Sequence, residues 1–174
     1  MKKINKLTLC AMLGALATVF MLTAYFPYIT YSVPLAASVF VMIAVIESGK
    51  RWGLFTYVVT AVLTLLFAEL QAKLIFICFA GFYPVLKAIF EGFRSRIPAF
   101  VLKFVTFNFC VITVYLLFAQ AFGLSEMSDF GVYGLLILLL GANFVFLIYD
   151  VILTRLASFY MWRLHHVVER LKKK

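Results

Sequence analysis

Charge is scarce in this sequence. Only 13% of its 174 residues are charged, and aspartate and glutamate together number 7. A soluble domain carries about 25% charged and about 45–50% apolar residues. Here 66% are hydrophobic, which leaves too little polar surface for a soluble fold. A soluble enzyme, a disordered tail and a secreted disulfide scaffold are excluded on that ground. Cysteines are few as well: Cys10, Cys78 and Cys110 each lie in an apolar run, and none has a partner at metal-ligand spacing. They read as small buried side chains rather than redox or metal groups. The only histidines, His165 and His166, are adjacent, so on a helix they point about 100° apart and make a poor chelating pair. No G-x-x-x-x-G-K-[ST], H-E-x-x-H or G-x-S-x-G occurs, which removes a P-loop ATPase, a zinc protease and a serine hydrolase of those types. The chain is therefore read as a non-enzyme with no cofactor and no metal site.

What is present is oil in long runs. Mean hydropathy is +1.08, and a membrane helix uses about 20 residues plus a short loop, so the length predicts about six spans. The fold class expected is an all-α integral membrane protein of about six transmembrane helices. Lys2, Lys3 and Lys6 precede an apolar run from Leu7 to about Tyr25. That run is long for a signal-peptide core and no A-x-A site follows it, so it reads as a retained first span. The second span runs from Ile29 or Pro34 to Ser48, with Pro34 suited to a first helical turn. A compact turn, Gly49 to Gly53, leads into span three, from Trp52 to about Ala68. Glu69 to Lys73 is the next loop or helix end, and span four covers Leu74 to Phe90. Phe93 to Pro98 is a loop, span five runs from about Ala99 to Ala121, and Gly123 to Gly131 is a polar, acidic loop. Span six starts near Val132 and continues towards the end as one long helix. Residues 1–174 thus form a single membrane domain, with 160–174 as a basic, cytoplasmic helical tail.

Net charge is +9. In a soluble protein that would point to nucleic acid, but no basic patch is interleaved with aromatics on a soluble surface, so no nucleic-acid partner is expected. Topology explains the charge instead. Lys2, Lys3, Lys6, Lys50, Arg51, Arg94, Arg96, Arg163, Arg170, Lys172, Lys173 and Lys174 all fall at one set of span ends, twelve in number, against Lys73 alone at the other. Lys and Arg collect in cytoplasmic loops, so both termini are expected in the cytoplasm. That requires an even number of spans, in agreement with six, and the localisation expected is a cell membrane crossed several times.

Polar residues inside the spans are costly in lipid and should face protein or water. Glu47, Lys87, Glu91, Lys103, Asp150 and Arg155 all fall on the cytoplasmic side of this topology. Lys87 and Glu91, four apart, share a helix face. The six pair with one another across helices, form a docking or coupling surface for a partner, or, with no acidic residue clearly at the midplane to favour it, serve a proton relay. Asn108 and Asn143 lie deeper, each ~15 Å into its span at ~1.5 Å per residue. They form either a helix–helix hydrogen bond or the floor of a ligand cavity opening outward. Tyr25, Tyr28 and Tyr31, with Glu69, Gln71 and Lys73, sit at the outer ends. They supply either an interfacial aromatic belt or the mouth of that cavity. In span one Ala11 and Ala15 form a small-xxx-small pair, beside Gly14 and Thr18, of the kind that lets another helix approach closely.

The short basic start, the Ala-x-x-x-Ala of Ala11 and Ala15, the Gly49 to Gly53 turn entering span three, and six spans in about 175 residues together resemble the substrate-binding S components of energy-coupling factor (ECF) transporters. The resemblance covers the whole chain at the level of architecture. It implies a subunit that binds a vitamin or other micronutrient from outside and docks, through the first-span alanines, on a transmembrane T component carrying two ATPases. No substrate-specific motif accompanies it. The charged stretch from Tyr149 to Arg155 lies outside the family pattern. A second reading of a small, basic, polytopic chain is a scaffold protein of a cell-envelope or cell-shape complex, and a third is a stand-alone channel or carrier.

The charge bias makes a direct prediction. Cysteine placed at Ser125 reacts with an impermeant thiol reagent in whole cells, and cysteine placed at Ser95 does not. The reverse labelling pattern would invert the topology.

Overall fold

The computed structural model describes residues 3–26, 28–93, 96–122 and 131–163. Of the acidic loop expected from Gly123 to Gly131, residues 123–130 lie outside the described residues and Gly131 begins the last helix; the tail beyond Arg163, with His165 and His166, also lies outside them. Everything regular among the described residues is helical. The order is α1 (Lys3–Leu22), a 3₁₀ turn (Thr23–Tyr25), α2 (Ser32–Ser48), α3 (Lys50–Phe67), α4 (Leu70–Ile75), a π-helical turn (Phe76–Ala80), α5 (Tyr83–Phe90), α6 (Arg96–Phe122) and α7 (Gly131–Arg163). Five segments are long and apolar enough to cross a bilayer: Ile4–Tyr25, Lys50–Phe67, Leu70–Phe90, Ile97–Val114 and Leu139–Arg163. With the shorter apolar helix Ser32–Ser48 they make the six of an all-α membrane protein.

Small residues set the packing of the first three helices. In α1, Cys10, Leu13, Gly14, Ala17 and Met21 recur at helical spacing and are buried, while Ala11, Met12, Ala15, Leu16 and Val19 face outward. In α3, Thr56, Thr60 and Thr64 form a fully buried stripe at intervals of four. Each hydroxyl is satisfied locally, Thr56 on the Trp52 carbonyl at 3.0 Å, Thr60 on Thr56 at 2.9 Å and Thr64 on Ala61 at 3.1 Å. The methyl groups are thereby left to pack. A Cβ on Gly14 would stand 3.5 Å from Thr60 Oγ1, so the two helices approach almost to backbone distance, as small residues permit. Gly49, at φ +97°, turns α2 into α3 in the left-handed region that only glycine enters freely.

Helix α2 packs against α1, α3, α5 and α7. Its 17 residues span only ~25 Å, short of a ~30 Å hydrocarbon layer. Protein surrounds much of it, and Pro34 is buried near its start.

Span four is where the structure departs from an even helix. Glu69 caps α4 by accepting from the Gln71 and Ala72 amides at 2.8 and 3.0 Å. The helix consequently begins at Leu70, so of the two readings of Glu69 to Lys73, loop or helix end, the structure has the helix end. Pro84 then removes an amide and its ring would press on the carbonyl four residues back. The ladder widens ahead of it: the Gly81 amide donates to Phe76 O at 2.8 Å, a bond of π-helical span. Tyr57 of α3 donates its hydroxyl to the Ile77 carbonyl of this turn at 2.9 Å. A Cβ on Gly81 would come within 2.7 Å of the Tyr57 ring. Pro98, expected in a loop, sits instead in the first turn of α6, where no intrahelical amide is needed.

Contacts at the helix ends fix which ends lie together. Lys6 Nζ donates to Ser48 O at 3.4 Å, and Glu47 accepts from the Tyr160 hydroxyl at 3.1 Å. At the far end Tyr25 Oη donates to Phe67 O at 2.9 Å. The starts of α1 and α3 and the ends of α2 and α7 therefore share one basic end of the bundle.

Gly53 yields a packing prediction. A Cβ there would meet Val45 Cγ2 at 2.2 Å, whereas one on Gly141 would meet nothing within 4 Å. Gly53→Ala is expected to lower stability by about 1–3 kcal/mol through overpacking. Gly141→Ala is expected to be neutral or to stabilise by up to about 1 kcal/mol from helix propensity. Unfolding midpoints in one detergent compare the two.

Candidate functional site

Helices α6 and α7 run antiparallel, and their facing residues fall into three layers. Asn108 faces Asn143, Phe104 and Phe107 face Phe146, and Lys103 faces Asp150. The spacing follows from helical periodicity: 103, 104, 107 and 108 on α6, and 143, 146 and 150 on α7, each fall along one face.

In the amide layer the two side chains bond reciprocally. Asn108 Nδ2 donates to Asn143 Oδ1 at 3.1 Å, and Asn143 Nδ2 to Asn108 Oδ1 at 2.9 Å. Each Nδ2 also donates to its own helix, to Phe104 O at 2.9 Å and Leu139 O at 2.8 Å. An amide nitrogen has two protons, and both are taken in each residue. The pair closes on itself and presents no free donor to a ligand.

The aromatic layer gathers Phe79 and Tyr83 from span four with Phe107, Phe146 and Tyr149. Phe107 and Phe146 stack at 4.4 Å between centroids, and Phe79 meets Phe107 edge-on at 5.0 Å. Tyr149 is buried and its hydroxyl pairs with Ser38 of α2 at 2.7 Å.

The ionic layer draws together α5, α6 and α7. Asp150 Oδ1 accepts from the Tyr83 hydroxyl at 2.6 Å and from Lys87. Lys103 Nζ donates to both carboxylate oxygens, at 3.1 Å to Oδ2 and 3.2 Å to Oδ1. Lys87 Nζ also donates to the Asp150 carbonyl at 3.0 Å and to Thr154 Oγ1 at 2.8 Å. Glu91 Oε1 lies 3.3 Å from both ammonium groups. Two cations and two anions thus share one site of zero net charge. Their exposure is uneven: the Lys87 and Lys103 side chains are 8% and 11% exposed, Asp150 20% and Glu91 49%.

Lys103 lies seven residues into α6, ~10 Å along its axis from the basic end. Beside it opens a cavity of about 490 Å³, lined by Lys103, Glu91, Thr154 and the rings of Phe90, Phe93 and Phe100. A smaller cavity of about 160 Å³ lies on the other flank, touching Lys87, Glu91 and Met161. A third, apolar groove of about 310 Å³ runs between α2 and α7 past Val39, Ile148 and Ile152. Neither asparagine lines any of the three.

Of the six charges expected on one side, Lys87, Glu91, Lys103 and Asp150 meet in one network. Glu47 stands apart, bonded to Tyr160, and Arg155 faces outward on α7. At the opposite end Glu69 is held by its capping bonds, and Lys73 Nζ donates to Leu65 O at 3.4 Å. Tyr25 is tied to Phe67, Gln71 is half-buried on α4, Tyr31 is exposed and Tyr28 is 98% exposed. Tyr83 and Thr154 are members of the network that the sequence reading missed. Both carried a signal, since Tyr83 lies four before Lys87 and Thr154 four after Asp150. Among the described residues, no group of three or more His, Cys, Asp or Glu side chains is placed to hold a metal ion.

Removing one charge tests the network. Asp150→Asn leaves two buried ammonium groups facing each other and is expected to cost about 3–5 kcal/mol. Adding Lys103→Met to that variant removes the unpaired charge and recovers part of the loss. Chemical unfolding of the native chain, the two single variants and the double variant measures the coupling; a double-variant loss equal to the sum of the single losses would show that the charges act independently.

No family model, curated protein or solved structure matches this chain.

Proposed function

We propose that the chain is the membrane-embedded substrate-binding subunit of an ECF-type micronutrient or vitamin transporter in a bacterial plasma membrane. In this reading it binds ligand from outside and docks on a T component with two ATPases. The observation that carries the reading is the two-faced character of α1. Its Gly14 side is locked against the threonine stripe of α3, while Ala11 and Ala15 face outward. Small residues on an outward face leave a shallow track into which a second membrane helix fits. The six-helix architecture and the lack of a P-loop agree with a subunit that leaves ATP hydrolysis to its partners.

On the outer side, the exposed rings of Tyr28 and Tyr31 are offered as the groups that meet a planar ligand, while the Tyr25 hydroxyl is tied to Phe67 O. Asn108 and Asn143 bond each other and are left out of the proposed pocket. That closed pair is also what favours the second reading, a scaffold protein of a cell-envelope or cell-shape complex. A scaffold needs cohesion between its spans but no outward cavity.

Affinity purification in mild detergent, with mass spectrometry of partners and retained small molecules, separates the two readings. The transporter reading expects a T component, its ATPases and a ligand to be recovered. Ala11→Trp and Ala15→Trp are expected to lose the membrane partner and keep the fold and the ligand, because bulk is added only where two backbones approach. Recovery of cell-shape proteins with no small molecule would favour the scaffold. Misfolding of the isolated Ala11→Trp chain would place this face inside the bundle and remove the support for docking.

A further inference from the structure

The ionic layer is closed by two carboxylates that are held very differently. Asp150 is embraced by Tyr83, Lys87 and Lys103, with bonds to both of its oxygens. Glu91 contributes one oxygen, at 3.3 Å from each lysine, and its side chain is half-exposed. It stands just past the last residue of α5, followed by Gly92 in a turn, so moving its side chain disturbs no helix interior. It also lines the mouth of the 490 Å³ cavity together with Lys103.

Charge balance shows what Glu91 does there. Without it, Lys87, Lys103 and Asp150 keep one net positive charge in a mostly buried site. A buried unpaired charge is expensive, so some monoanion must complete the set. Glu91 is the internal one, and a ligand carboxylate in the same place restores neutrality equally well. The rest of the cavity wall indicates what the carboxylate would be attached to. Phe90, Phe93 and Phe100 surround the opening, with Phe90 and Phe93 stacked at 6.2 Å. Flat apolar walls beside Lys103, with Lys87 reached across the Glu91 carboxylate, match an aromatic ring bearing one carboxylate.

From this geometry we infer that the cavity between α5, α6 and α7 is a binding site for a small aryl monocarboxylate, whose carboxylate displaces Glu91 from between Lys87 and Lys103. The site lies at the basic end of the bundle, opposite to Tyr28 and Tyr31, and does not depend on the transporter reading. Glu91 acts as a built-in competitor: it holds the two lysines when the site is empty and swings to the exposed side when a ligand enters.

Benzoate is the probe, with benzyl alcohol as its uncharged counterpart and chloride as a bare anion, titrated calorimetrically into the full chain in detergent. Glu91→Gln is expected to bind benzoate at least tenfold more tightly than the native chain, since the competitor is gone, and to bind benzyl alcohol no better. Phe100→Ala, at a 55%-exposed position, is expected to weaken benzoate several-fold in the Glu91→Gln background without unfolding the chain. Lys103→Met in that background is expected to abolish binding; circular dichroism checks that it folds, and the Phe100→Ala comparison stands if it does not. Equal benzoate affinity in the native and Glu91→Gln chains would overturn the proposal and leave a purely structural ion network. Benzyl alcohol binding as well as benzoate, or chloride binding in place of benzoate, would overturn it too.

Discussion

Two ammonium groups held between three helices in a hydrocarbon layer need counter-charge at contact distance, and much of this bundle is arranged around supplying it. Lys87 and Lys103 come from different helices, and the one carboxylate on their own segments, Glu91, is shared between them. Asp150 of α7 is reached by both, with Tyr83 and Thr154 taking up remaining donors and acceptors. That requirement fixes how α5, α6 and α7 are rotated and how far each slides along the next. Breaking a buried pair costs far more than the pair itself gains.

Backbone satisfaction is the second constraint, and it explains the irregular span. In lipid every amide and carbonyl must be bonded internally. Pro84 breaks the ladder, and two compensations appear: the longer Gly81-to-Phe76 bond and the Tyr57 hydroxyl on Ile77. The widened turn also sets the direction in which Phe79 and Tyr83 point, into the aromatic layer and onto Asp150. A proline needed for chain geometry in one span thus helps position a hydrogen-bond donor in the ionic layer. The threonine stripe of α3 meets the same constraint more simply, each hydroxyl returning its bond to its own helix.

Hydropathy and charge made the six helical segments legible, because a span is set by its length and its oil. Their ends were less so. The start of α4 at Leu70 depends on a Glu69 cap, and the position of Pro98 inside α6 depends on a first turn that needs no amide; neither changes hydropathy. The ionic residues were legible singly, since each is conspicuous in an apolar run. Their partners were not: Arg155 faces outward on α7, while Asp150 joins Lys87 and Lys103 from other helices. Pairing across helices is decided by rotation and slide, which no one-dimensional pattern carries. The period-four stripe of Thr56, Thr60 and Thr64 was visible in the sequence, but threonine in an apolar helix reads as unremarkable until a glycine is found opposite it.

The amide layer and the ionic layer solve the same desolvation problem with different consequences. Two asparagines are self-complementary: each has one donor for its partner and one for its own helix, and the match is complete without a third group. Such a pair has no reason to open. The ionic layer has no such closed count, because two lysines and one well-held aspartate leave a unit of charge over. Glu91 supplies it from the rim, half in solvent, where water can compete for it at little cost. Exchange is therefore easiest where the structure has placed its least constrained carboxylate, next to a cavity and at the end of a helix. The polar layer nearer the bilayer centre holds helices together, while the one towards the basic end also keeps a position that another anion can occupy.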